Sequence, residues 1–234
     1  HWIIRQYDHE VQGTVIAKPL VGPAGRGPGD AAVLEPVAGS GRGISLSQGL
    51  QTPVGDAANG GDAYLMVLAA VDEVVRNLVC VGTDPTRIAA VAYDAPFVSG
   101  KDSLNNPLRY QDPATGEAKV IEIPPTLLVT GIGIVPSIAR TVTMDAKVAG
   151  NVLIVVGART TDELGATHLA MLTGEAGGTI PRVDLKLGPA AASAVAEMIK
   201  DGLIVSAHDC SEGGVLAAAA EMLIASGAAS KSER

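Results

Sequence analysis

Residues 62–79 read DAYLMVLAAVDEVVRNLV, and this stretch sets the fold class. Leu65, Leu68, Ala69, Asp72, Glu73, Arg76 and Asn77 recur at intervals of three and four, while apolar residues fill the other face. The spacing predicts a helix, with Asp62 placed to cap its start and Gly82 just beyond its end. Before it, Thr14-Val15-Ile16, Ala31-Ala32-Val33-Leu34 and Gly43-Ile44-Ser45-Leu46 are short apolar runs separated by Gly and Pro, the pattern of strands and loops. After it come a turn at Asp84-Pro85, a short apolar piece and a strand that leads to residue 98. Residues 107–123 read as a polar hairpin with turns at Asp112-Pro113 and Thr115-Gly116, and an apolar strand follows over 126–135.

A second unit is expected from Ile138. Val152-Leu153-Ile154-Val155-Val156 reads as a buried strand, Thr161-Asp162-Glu163-Leu164 as a helix start, and His168 as a structural histidine inside that helix. Residues 189–200 and 213–226 read as further helices, with Leu203-Ile204-Val205 as a strand between them. Strands and helices alternate in both units, so the fold class is α/β or α+β, divided at 1–137 and 138–234.

The 234 residues are 47% apolar but only 3% aromatic, so Ala, Val, Leu and Ile must build the core. Seventeen basic against 25 acidic residues give a net charge of −8, which argues against broad nucleic-acid binding but leaves room for a local phosphate pocket. Cys80 and Cys210 form no metal-ligand pair and read as free thiols of a reducing cytosol. No apolar run reaches the length of a membrane span, and no signal-peptide pattern opens the chain. His1-Trp2-Ile3-Ile4 lacks an initiator methionine and reads as the middle of a longer chain.

Several short constellations suit phosphate and cation chemistry. Residues 99–106, SGKDSLNN, combine a glycine that lets backbone come close, a cation, an anion, a hydroxyl and two amides. Gly29-Asp30-Ala31-Ala32-Val33 sets one carboxylate at the mouth of a strand, where a divalent cation or a simple turn is equally served. Glu73 and Asn77 lie four apart on one helix face and can share a metal ion, or merely form a solvated face. Asp72 and Arg76 repeat that spacing and read as a surface ion pair. His208-Asp209-Cys210-Ser211-Glu212-Gly213-Gly214 sits at a strand-to-helix junction, where free N–H groups suit phosphate oxygens and Asp209 or Ser211 can act as N-cap. Asp145 reads as a turn residue.

Taken in order, Tyr7-Asp8-His9-Glu10-Val11-Gln12, the Gly29–Val33 string, the Val71–Val79 string, SGKDSLNN, Pro124-Pro125-Thr126-Leu127-Leu128 and HDCSEGG resemble the second half of the phosphoribosylformylglycinamidine synthase family, in its synthetase subunit. The resemblance runs from Arg5 to about Gly227. It implies an aminoimidazole ribonucleotide synthase-like N-terminal α/β domain, which pairs with its counterpart in a pseudo-dimeric barrel, followed by a shortened C-terminal α+β domain. It also implies a cytoplasmic ATP-dependent ligase of purine biosynthesis. ATP activates the amide oxygen of formylglycinamide ribonucleotide as an iminophosphate, and ammonia displaces the phosphate.

By the same resemblance, Gly100 and Lys101 approach ATP, Ser103 the substrate, and Asp102 takes the metal-binding duty of an asparagine replaced by Lys101. Asp30, Glu73, Asn77 and Asp209 match positions that hold Mg²⁺, and Ser211 a position on a second, non-catalytic nucleotide. The family's catalytic histidines belong to the other half, and none of His1, His9, His168 or His208 matches them. The chain is therefore expected to be inactive alone. Its implied partners are the first half of the synthase, in the same or a separate chain, a glutaminase subunit with a small bridging subunit, and a second copy of itself. The other readings are a structural half that keeps a nucleotide permanently and another ATP-using member of the superfamily. Family members carry an Asp-Asn-rich segment before SGKDSLNN that is missing here, where Ile88-Ala89 runs almost directly into Val91-Ala92-Tyr93.

Overall fold

The centre of the fold is a sheet whose two longest strands turn glycine and serine to much of their inner face. In the computed structural model, which describes residues 11–57, 60–88, 99–100, 107–158, 163–174 and 178–227, β1 (Val15–Ala17), β4 (Ala32–Leu34), β5 (Gly43–Leu50) and β8 (Leu128–Val135) form a four-stranded sheet in the order β1-β4-β5-β8. Every pairing is antiparallel, and β5 and β8 run in continuous register from Gly43↔Val135 to Leu50↔Leu128. Two hairpins stand apart: β2 (Leu20–Val21) with β3 (Gly27–Pro28), and β6 (Leu108–Gln111) with β7 (Ala118–Ile121). The expected α/β alternation therefore resolves into an α+β arrangement built on antiparallel strands.

Period-two alternation turns Gly43, Ser45, Ser47 and Gly49 of β5 inward, opposite Val135, Gly133, Gly131 and Val129 of β8. Against this flat surface lies α1 (Ala63–Cys80), whose Ala70, Val71, Val74, Val75 and Leu78 are fully or almost fully buried. The helix sits so close that a Cβ on Gly131 would meet Val74 Cγ1 at 2.1 Å. Ser47 Oγ donates to the Val74 carbonyl at 3.0 Å, and Ser45 Oγ meets Thr83 Oγ1 at 2.7 Å, so the buried hydroxyls are satisfied. Asp62 caps the helix by accepting from Leu65 N at 2.7 Å, as its sequence position predicts. The opposite face of the sheet carries Leu50, Leu128 and Ile132 into solvent.

The second region is helical: α2 (His168–Thr173), α3 (Leu187–Lys200) and α4 (Gly214–Ala225). Ala192 of α3 joins the α1 core, and Ile199 packs with Cys80 and Ala207. The end of α4 seats on the β2–β3 hairpin, where a Cβ on Gly22 would lie 1.9 Å from the Ala225 carbonyl oxygen.

Three expectations differ. Residues 152–156 are not a buried strand but irregular chain, with Val152 at 82% and Ile154 at 66% exposure. Residues 203–205 likewise form no strand, and only Ile204 turns inward. A strand needs a partner for its N–H and C=O groups, and among the described residues neither segment meets one. His168 begins its helix rather than lying inside it, because Thr167 is the cap and Leu164 precedes the first turn.

Candidate functional site

Asp30 is held in the loop just before β4, and its side chain is 1% exposed. Burial raises its pKa above the usual carboxylate value, against the pull of a hydrogen bond and the charge of His208. Its Oδ1 meets His208 Nδ1 at 2.6 Å and accepts from Asp209 N at 3.2 Å. The other oxygen, Oδ2, is buried and has no hydrogen-bond partner among the described residues. A buried, unpartnered carboxylate oxygen is costly unless something absent from the protein alone completes it.

The other side of the site is residues 208–212. His208 Nε2 reaches Glu221 Oε2 of α4 at 3.1 Å, so the imidazole lies between two carboxylates. Burial works to lower its pKa, but the Asp30 hydrogen bond and charge outweigh it, with help from Glu221 and Asp209, and push it up to about 9. His208 therefore stands protonated at neutral pH, hydrogen-bonded to Asp30.

Arg76 links α1 to this segment. Its guanidinium bonds Asp72 Oδ2 at 2.8 Å, Asp209 Oδ2 at 2.5 Å and the Cys210 carbonyl at 2.7 Å. Its Nη1 also lies 3.5 Å from Ser211 Oγ, which in turn donates to Asp209 Oδ2 at 2.6 Å. The carboxylates of Asp209 and Asp72 outweigh burial and raise the guanidinium pKa further above its already high value. The expected surface ion pair of Asp72 and Arg76 exists, but it is the outer half of an inward-facing cluster. Neither Asp209 nor Ser211 caps α4, whose N-cap position is Gly213.

Glu73 and Asn77 share a helix face, as their spacing predicts, and both turn to the end of β5. Glu73 Oε2 accepts from Leu50 N at 2.8 Å and from Gln51 Nε2 at 3.1 Å. The same Gln51 nitrogen donates to Glu212 Oε1 at 2.8 Å, and Asn77 Nδ2 donates to the Gln48 carbonyl at 3.2 Å. Burial raises the Glu73 pKa, opposed by its bonds to Gln51 and Leu50.

Of the residues marked by sequence, Asp30 and Asp209 meet, with Ser211 beside them. Among the described residues, Asp30, His208 and Asp209 form the one group whose metal-ligating atoms all lie within 4.8 Å of one another. Asp30 Oδ2 supplies an open oxygen, so the Asp30 and Asp209 carboxylates fit a hard divalent cation, which His208 could join only after losing its proton. Gly100 is exposed, and Lys101, Asp102 and Ser103 lie outside the described residues. Asp145 is a structural anchor: it accepts from Thr143 Oγ1 at 2.6 Å and pairs with Lys147. The bridging roles of Arg76, His208 and Gln51 were not legible as such. The one sequence signal was an arginine on a helix otherwise rich in Val and Leu.

The class of the chain follows from comparison with known families. Residues 148–231 match the family model described as AIR synthase related protein, C-terminal domain. The Deinococcus radiodurans phosphoribosylformylglycinamidine synthase subunit PurL is 31% identical over 96% of this chain and 32% of its own length. The subunit from Anaeromyxobacter sp. (strain Fw109-5) is 31% identical over all of this chain and 32% of its length, and that from Thermococcus kodakarensis 32% over 95% and 31%. The chain belongs to the phosphoribosylformylglycinamidine synthase family, and it spans about one third of the length of the curated relatives it matches. One alignment runs over 268 residues while using all of this 234-residue chain, so that relative carries segments without a counterpart here. T. maritima PurL complexed with ADP superposes over 62% of this chain and 25% of its own at a TM-score of 0.41 and 26% identity. That superposition is too loose to bear on the geometry, and the family rests on the sequence relatives.

Proposed function

We propose that this chain is the ATP-, Mg²⁺- and substrate-contacting half of an ATP-dependent carbon–nitrogen ligase that makes formylglycinamidine ribonucleotide. The observation that carries this reading is the meeting of Asp30 and Asp209 from opposite ends of the chain, around a buried carboxylate oxygen with no partner among the described residues. Mg²⁺ held by Asp30 and Asp209, with Glu73 and Asn77 nearby on α1, would screen the charge of nucleotide phosphates. Arg76 keeps Asp209 turned inward. Gly100 and Lys101 are assigned to ATP, Ser103 to the substrate and Asp102 to a metal on the same proposal.

The burial of Asp30 favours a second reading for this cluster, a nucleotide held for structural reasons rather than turned over. Both readings divide the chain at 137/138 and leave the reacting base to another half. The exposed apolar side of the sheet, with Ile16, Leu50, Leu128 and Ile132, supports pairing with a second N-terminal-type domain, from a first half or a second copy. A glutaminase subunit and its bridging subunit would supply the ammonia in the cytoplasm.

Calorimetric titration of the purified chain with ATP or ADP in Mg²⁺ tests the proposal. Saturable binding that disappears with a chelator is the expected result. No heat at millimolar nucleotide would reject it, and turnover of formylglycinamide ribonucleotide with ammonia by this chain alone would reject the division of labour.

A further inference from the structure

The two groups bonded to the Asp209 carboxylate both hold the same oxygen. Arg76 Nη1 and Ser211 Oγ both bond Oδ2, at 2.5 and 2.6 Å, whereas Oδ1 lies on the His208 side, 3.9 Å from Nδ1. Arg76 is itself fixed at its Nε by Asp72, one helical turn earlier on α1, and it also bonds the Cys210 carbonyl. The side chain is about one third exposed, while Asp72 and Asp209 are largely covered. Its planar fork thus joins one rigid helix to residues 209–211, across more than 130 residues of sequence.

We propose that Arg76 is a positioning residue for a divalent cation, fixing Asp209 by Oδ2 and so holding its carboxylate within the group it forms with buried Asp30, whose Oδ2 has no partner among the described residues. This rests on the reading of Asp30 and Asp209 as cation ligands. Groups that orient a ligating carboxylate commonly change metal affinity by about 10–100-fold when removed. Charge alone predicts the opposite sign, because a guanidinium beside Asp209 repels an incoming cation and its loss should tighten binding. The two accounts therefore separate on the direction of one measurement. Lysine keeps the charge but offers no planar fork for Asp72, Asp209 and the Cys210 carbonyl together.

The test is Mn²⁺ titration of the unaltered chain, Arg76→Gln and Arg76→Lys, following free Mn²⁺ by electron paramagnetic resonance, with a thermal melt of each protein in chelator. The expected result is affinity weaker by about 10–100-fold in Arg76→Gln. Arg76→Lys should show a smaller but clear loss, and all three should melt cooperatively. Equal or tighter binding by Arg76→Gln overturns the positioning role, as does Arg76→Lys that matches the unaltered chain. If Arg76→Gln does not fold, Asp72→Asn carries the test, since it frees the Nε end of Arg76 and leaves Asp209 intact; unchanged Mn²⁺ affinity there overturns the inference. No Mn²⁺ binding by the unaltered chain overturns the cation reading and this inference together.

Discussion

The sheet with α1 and the region after residue 138 solve burial in opposite ways. In the first, glycine and serine on β5 and β8 let α1 come to backbone distance, and Val71, Val74 and Leu78 vanish from solvent. In the second, two of the three helices borrow their core: α3 packs on α1, α4 on the β2–β3 hairpin, and residues 152–156 remain in solvent although every one is Val, Leu or Ile. The first region can be understood from its own residues, whereas the second is organised by what it docks onto. The candidate site lies along that seam, with Asp30 and Arg76 on one side and residues 208–212 on the other. Its geometry therefore reports docking as well as chemistry.

The largest effect should come from the self-sufficient side. Leu78→Ala removes a fully buried side chain beneath the sheet and should cost about 2–5 kcal/mol in chemical denaturation; a cost near zero would mean that α1 does not carry the core. Gly131→Ala puts a methyl where Val74 Cγ1 already stands, and about 1–3 kcal/mol of overpacking is expected in the same assay.

The seam itself should respond to pH. His208 is raised to about 9, so the proton it holds in the folded state is a stabilising contribution, complete below its ordinary value of 6.5 and lost as pH climbs through about 9. Buried Asp30, also raised, adds a contribution that is complete below its ordinary value of 3.8 and is lost as pH rises above it. Thermal midpoints measured without divalent cation should fall from neutral pH towards pH 9, and His208→Asn should flatten that fall; an unchanged slope would remove His208 from the seam. The smallest effect is expected on the uncovered side. Leu216→Ser on α4, 86% exposed, should shift unfolding by no more than about 0.5 kcal/mol. A larger loss would show that this face is covered in solution, and the contrast between the two regions would weaken.

Much of the first region was legible because its signals are local. Apolar runs between Gly and Pro marked β1, β4 and β5; the three- and four-residue spacing marked α1; Asp62 announced its own cap. Residues 152–156 misled for a physical reason. Continuous Val, Leu and Ile state a preference for burial and extended chain, but a strand also requires a neighbour that the run itself cannot specify. The site was half legible. Asp30, Asp209 and Ser211 stood out beside glycines at element boundaries, where loops bring backbone and polar groups together. Arg76 did not, because a residue four after an aspartate on a helix looks the same whether the pair faces water or a distant loop. His208 between Asp30 and Glu221 depends on contacts 178 and 13 residues apart, beyond any local pattern.

The most direct test of the account is Mg²⁺-dependent nucleotide binding by the chain and by its Asp30→Asn variant, measured by calorimetry with melts to confirm that both fold. Asp30 offers a buried carboxylate oxygen that the described protein atoms leave without a partner, so the account predicts binding by the unaltered chain and its loss in a folded Asp30→Asn. Undiminished Mg²⁺-dependent binding by the variant would contradict the claim that a cation and nucleotide site is built where Asp30 meets Asp209.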